Sequence, residues 1–106
     1  MRRARRVDAN QAAIVAALRK AGASVQVLSG VWSGCPDLLV GMECRNKDRT
    51  VERNWLMEVK DGSKPPSERR LTKAEHKWHC EWLGQVAVVY DPDDALLCLQ
   101  QLRNRA

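Results

Sequence analysis

The chain has 106 residues, which allows one domain and excludes a separate cofactor domain beside a substrate domain. Charged residues make up 29% and hydrophobic residues 44%, too apolar for a disordered tail, and no apolar run approaches the roughly 18–20 residues that span a bilayer. Eighteen Lys and Arg against thirteen Asp and Glu give a net charge of +5, which favours an anionic partner such as nucleic acid.

Four arginines fall within residues 1–7, a segment expected to be a basic, mobile leader that adds sequence-independent affinity. Asp8 and Gln11 have the spacing of a capping box and open a predicted helix that runs to about Ala21, with an apolar stripe of Ile14, Val15, Leu18 and Ala21 and a stop at Gly22. From Ser24 the pattern alternates and predicts a strand to about Leu28. Ser29 to Pro36, with two glycines and a proline, predicts a loop, and Asp37 to Gly41 a short strand buried on both faces. The charged stretch Glu43 to Arg53 reads as a hairpin-like connection. Trp55 to Lys60 is a third strand, closed by the Asp61 to Ser67 loop. Thr72 and Glu75 form a second capping box, and the helix they open, ending near Gly84, puts Ala74, Trp78 and Trp82 on one side, the two tryptophans expected in the core rather than stacking on bases, and pairs Lys77 with Glu81. Gln85 to Tyr90 is a β-branched strand, and Asp91-Pro92 starts a last helix over about 92–102 that buries Ala95, Leu96, Leu99 and Leu102. The order α-β-β-β-α-β-α predicts a single α/β domain over 1–106, a mixed sheet flanked by helices.

Chemistry is expected where polar residues interrupt the strands. Side chains alternate along a strand, so Leu56, Glu58 and Lys60 share one face while Trp55, Met57 and Val59 share the other. The first face therefore passes from apolar to acid to base at the strand's end. Asp37 opens the preceding strand with a second carboxylate. Hard divalent cations such as Mg²⁺ take one or two carboxylates with waters and substrate phosphate, and Asp37, Glu58 and the main-chain carbonyl of Val59 are such a set.

These residues resemble the PD-(D/E)xK nuclease superfamily, with Pro36-Asp37 followed by Glu58-Val59-Lys60 and a helix on either side. The pattern is most similar to small phage-type VRR-NUC domain nucleases, through Gly34-Cys35-Pro36-Asp37, the Glu-Val-Lys strand and the Leu71-Thr72 helix start, over roughly residues 8–90. The resemblance implies a restriction-endonuclease-like core, Mg²⁺ with Mn²⁺ as substitute, and no organic cofactor. It further implies hydrolysis of DNA phosphodiester bonds to leave a 5′-phosphate. Asp37, Glu58 and Lys60 are then the catalytic residues, with Lys60 orienting the attacking water or stabilising developing negative charge. The similar small nucleases and resolvases imply a homodimer acting on branched DNA such as four-way junctions, in the bacterial cytoplasm. A non-catalytic DNA-binding module on the same scaffold is the alternative.

Two positions depart from the pattern. Relatives often carry Glu on the first helix where this chain has Gln11, so Gln11 is either an accessory site residue or only the partner of the Asp8 cap. Relatives tend to carry Gln where this chain has Glu75, which either caps its helix or reaches the site. Lys64, Arg69, Arg70 and Lys73 are candidates for phosphate contacts or for a solvated face, and Trp32 and Ser33, in the polar loop before Asp37, are expected to touch DNA. The cysteines Cys35, Cys44, Cys80 and Cys98 lack CxxC spacing and are expected as reduced cytosolic thiols; His76, His79 and Cys80 make a poor zinc set.

Overall fold

A computed structural model describes residues 8–105; the basic leader lies outside the described residues. The order is α1 (Gln11–Lys20), β1 (Ser24–Val27), β2 (Leu38–Asn46), β3 (Arg49–Val59), a short 3₁₀ turn η1 (Pro66–Glu68), α2 (Lys73–Glu81), β4 (Val86–Val89) and α3 (Pro92–Arg103). One mixed sheet has its strands in the order β1-β2-β3-β4. The first two pairings are antiparallel and β3 with β4 is parallel, which requires a crossover that α2 supplies. The predicted α/β architecture is therefore the observed one, at the level of a four-stranded mixed sheet flanked by helices.

The core occupies one face of the sheet. Ile14, Val15 and Leu18 of α1 and Ala95, Leu99 and Leu102 of α3 pack with Leu38, Val40 and Met42 of β2 and with Met57 and Val59 of β3. Leu96 is only half-buried. α1 ends as its sequence dictates: Gly22 takes φ +95°, and the Ala23 N–H returns to the Leu18 carbonyl. Arg103 of α3 then donates to the Ala21 carbonyl at 2.8 Å, tying the two helix ends together. The start of α3 follows its sequence too, since Asp91 accepts from the Asp94 N–H at 2.6 Å and Pro92 occupies the first turn.

Three expectations need correction. The Glu43 to Arg53 stretch is not a connection but the outer half of a long hairpin, in which Glu43 pairs with Glu52 and Arg45 with Thr50 around a tight Lys47-Asp48 turn. Its β2 half still packs on α3 through buried Cys44, but most of its β3 half is exposed and lacks an alternating hydrophobic signal, while the backbone ladder still satisfies its polar groups. The Asp8–Gln11 capping box does not form. Asn10 is the N-cap without a side-chain cap bond, and Gln11 is buried and used elsewhere. Trp78 and Trp82 are not core: Trp82 is 47% exposed and follows α2 in extended backbone, and the two rings stack at 4.7 Å over the sheet face opposite the core. With Leu28, Leu39 and Leu56 they line an open apolar groove.

Candidate active site

β3 delivers its residues as its alternation predicts. Met57 and Val59 enter the core, while Glu58 and Lys60 lie on the α2 side at the strand's C-terminal end. The register pairs Leu38 with Met57, so the next step places Asp37 beside Glu58 just where β2 begins. The Asp37 Oδ2 accepts from the Val59 N–H at 2.8 Å. An extended residue in an antiparallel ladder sends its N–H and C=O to the same side, so the Val59 carbonyl is directed toward the Asp37 edge.

The loop that carries Asp37 is seated against α2 by Gly34. That residue takes φ +79°, and a Cβ there would lie 2.4 Å from the Ala74 carbonyl oxygen, so only glycine allows this approach. The Gly-x-Pro-Asp spacing thus fixes Asp37 relative to the helix that carries Glu75. The Glu75 Oε1 accepts from the Thr72 N–H at 2.8 Å, as a capping box requires, and from the Lys60 Nζ at 2.6 Å. One oxygen therefore both caps α2 and holds the Lys60 ammonium.

Gln11 reaches the same place from α1. The Ser29 hydroxyl lies 3.3 Å from both the Gln11 Oε1 and the Asp37 Oδ1, so its single hydrogen can serve either acceptor. Asn10 donates from Nδ2 to the Lys60 carbonyl at 3.2 Å and the Tyr90 carbonyl at 2.7 Å, binding the ends of β3 and β4 to α1. His79, one turn after Glu75, places Nε2 3.8 Å from the Glu58 Oε1, and burial pushes its pKa below the usual 6.5, opposed by nearby Glu75. Asp8 also belongs to this neighbourhood. Partial burial raises its pKa above 3.8, against the attraction of Lys60 and Lys64, while Asp37 and Asp61 repel it. Ser29, Asn10, His79 and Asp8 were not singled out by sequence as members of this site; their roles arise from tertiary placement.

All the buried polar or charged residues among those described, Gln11, Asp37, Glu58, Lys60 and Glu75, converge here. Glu58 is only 1% exposed. Such burial is costly for charged groups, and this set holds three carboxylates against one ammonium. Burial disfavours the charged form of His79, so it offsets little of that excess. The excess of acid suits a divalent cation. Among the described residues no group of three or more His, Cys, Asp or Glu could hold one alone, but Mg²⁺ needs only one or two carboxylates beside waters and substrate phosphate.

The remaining candidates lie outside this cluster. Arg69 and Arg70 share a separate concavity with His76 and Tyr90, Lys73 is exposed at the start of α2, and Trp32, 69% exposed, sits with exposed Ser33 on the loop preceding Gly34. All four cysteines are free thiols, and no helix among the described residues is long and apolar enough to cross a membrane. No protein-family model matches the chain, and neither a curated protein nor a solved structure matches it significantly.

Proposed function

We propose that the chain is a metal-dependent phosphodiester hydrolase acting on DNA, built on a restriction-endonuclease-like core. One observation carries this reading: the buried polar residues gather at a single sheet end, where they cost stability and enclose more acid than base. Asp37 and Glu58, with the Val59 carbonyl, would hold Mg²⁺ or, in its place, Mn²⁺. Such an ion supplies Lewis-acid polarisation of the scissile phosphate and lowers the pKa of a bound water.

The chain's own groups account for the rest. Glu75 holds the Lys60 ammonium at 2.6 Å, so that charge is already ordered where negative charge develops during attack at phosphorus. The Val59 N–H fixes the Oδ2 of Asp37, and the one Ser29 hydroxyl hydrogen is available to its Oδ1 or to the Gln11 Oε1, which would limit the reorganisation needed when substrate arrives. Gln11 acts through Ser29, as a positioning residue in place of a ligand. Lys64, in the loop after β3, lies within electrostatic reach of Asp8 and Asp61 and would meet a flanking phosphate. One such site cuts one strand, so a homodimer acting on branched DNA is the proposed working unit.

The test is incubation of the full chain with labelled linear duplex, flap and four-way junction DNA in Mg²⁺, Mn²⁺, Ca²⁺ or EDTA, with light scattering at the assay concentration. Cleavage is expected in Mg²⁺ and Mn²⁺, with binding alone in Ca²⁺. Equal rates in EDTA would remove the metal, binding without cleavage in any metal would leave a DNA-binding module, and a monomer cutting linear and branched DNA equally would remove the dimer.

A further inference from the structure

The segment between η1 and α2 builds a second concavity, of about 550 Å³, with a chemistry opposite to that of the Asp37–Glu58 cluster. Arg69, Arg70, His76 and Tyr90 supply its polar lining, and no carboxylate takes part. Its position is fixed by elements that already hold the candidate site. Val88, also in its wall, is the register partner of Glu58, so the concavity borders the strand next to the one that carries Glu58. His76 directly follows Glu75, and Tyr90 follows Val89, whose carbonyl accepts from the Lys60 N–H at 2.9 Å.

Arg69 gives this concavity a specific demand. Its backbone is pinned as the C-cap of η1 by donation to the Pro66 carbonyl at 3.2 Å. Its Nε–H is buried and donates to no acceptor among the described residues. The Arg69 side chain is half-buried and lines the concavity, and the group that satisfies a guanidinium best is a planar or tetrahedral oxyanion that accepts from two of its N–H groups. Arg70 adds a second such fork, and the Tyr90 hydroxyl and His76 ring add further donors suited to phosphate oxygens.

We infer that this concavity binds a phosphate group of the nucleic-acid strand adjacent to, and distinct from, the one being hydrolysed. The inference rests on the proposed nucleic-acid function for the identity of its ligand. Two sources share this chemistry, an internal phosphodiester of a continuous strand and a terminal phosphomonoester at a strand end. Either would fix the strand's register over Asp37 and Glu58, since phosphate contacts position a strand without reading its sequence.

The experiment is fluorescence anisotropy with the full chain in EDTA, where binding is read without cleavage. The probes are one labelled single strand bearing a 5′-phosphate, the same strand with a 5′-hydroxyl, and a closed circular strand. Arg69→Gln and Arg70→Gln are compared with Lys77→Gln, an exposed α2 charge outside the concavity, and thermal melts check that each variant folds; Arg70 is exposed, so its variant stays informative where Arg69→Gln does not fold. Each pocket variant is expected to weaken binding about tenfold and to lower the salt slope by about 0.7, the loss of one single-strand phosphate contact, while Lys77→Gln changes neither. A preference for the 5′-phosphate that Arg70→Gln erases assigns the terminal group, and equal losses on the circle assign the internal one. Unchanged affinity and slope in both pocket variants, or equal loss in Lys77→Gln, overturns the inference. Variant-insensitive binding with intact Mg²⁺-dependent cleavage removes the pocket alone, and variant-sensitive binding without cleavage removes the hydrolase reading alone.

Discussion

On one face of the sheet Leu38, Val40, Met57 and Val59 disappear beneath α1 and α3; on the other, Leu56 gives way within two residues to Glu58, and the helix above presents Glu75 and His79. The first face is continuous and apolar. The second is an open groove of tryptophan and leucine at one end and buried charge at the other. Both faces come from the same strands with the same alternation, so the difference lies in what covers them. A fold of this size gains its stability from the first face and can tolerate unfavourable burial on the second, which is where chemistry is expected.

The largest expected effect separates the faces by activity. Asp37→Asn keeps an oxygen for the Val59 N–H but removes the charge, and should lower single-turnover cleavage a hundred- to thousandfold with little change in melting temperature. Glu75→Ala should move both observables, because it strips the cap of α2 and leaves Lys60 buried without that carboxylate; removal of one partner from a buried pair costs about 3–5 kcal/mol in chemical denaturation. Glu75→Gln, which retains an acceptor, should recover part of the stability and less of the activity. Leu99→Ala, on the closed face, should cost about 2–5 kcal/mol while cleavage per folded molecule stays unchanged. Loss of activity in that variant beyond its loss of folded protein would break the division between the faces.

The smallest effect is a pH dependence. Burial lowers the folded-state pKa of His79 below 6.5, so the unfolded chain takes up its proton first as pH falls. Its contribution to stability is therefore fully present above pH 6.5 and declines as pH drops toward the lower folded value. Glu75 moderates this decline, and Lys60 and His76 accentuate it. Denaturation curves in EDTA below and above pH 6.5 should show that slope in the wild type and a flatter one in His79→Asn.

Much of this was legible in the sequence because the relevant signals are local. Alternation along residues 55–60 assigned both faces of β3, the Thr72–Glu75 spacing specified the cap that forms, and Asp91-Pro92 marked the start of α3. The Gly34-Cys35-Pro36-Asp37 and Glu58-Val59-Lys60 segments, with 20 residues between them, meet because the Leu38–Met57 pairing brings them together. What the sequence concealed depends on distant partners. Asp8 and Gln11 have cap spacing, yet Gln11 turns to Ser29, and no local pattern announces that contact. The β3 half of the outer hairpin is mostly exposed and carries no alternating hydrophobic signal, and among the described residues only Cys44 on its β2 half reaches the core, so backbone pairing holds most of it. Trp78 and Trp82 have helical core spacing, but α2 ends at Glu81 and leaves their stack at the edge of an open groove. His76 and Tyr90 join Arg69 and Arg70 only through the crossover to β4.

The central claim is that the charge buried at the end of β3 serves catalysis at the expense of the fold. Glu58→Gln tests it most directly, since Glu58 is 1% exposed and the substitution preserves shape while removing charge. Thermal melting and Mg²⁺-dependent cleavage of labelled DNA would be measured on the same preparation. The expected result is a melting temperature equal to or above that of the wild type with cleavage reduced at least about a hundredfold. Cleavage at the wild-type rate, or a loss of activity that only follows a loss of folded protein, would contradict it.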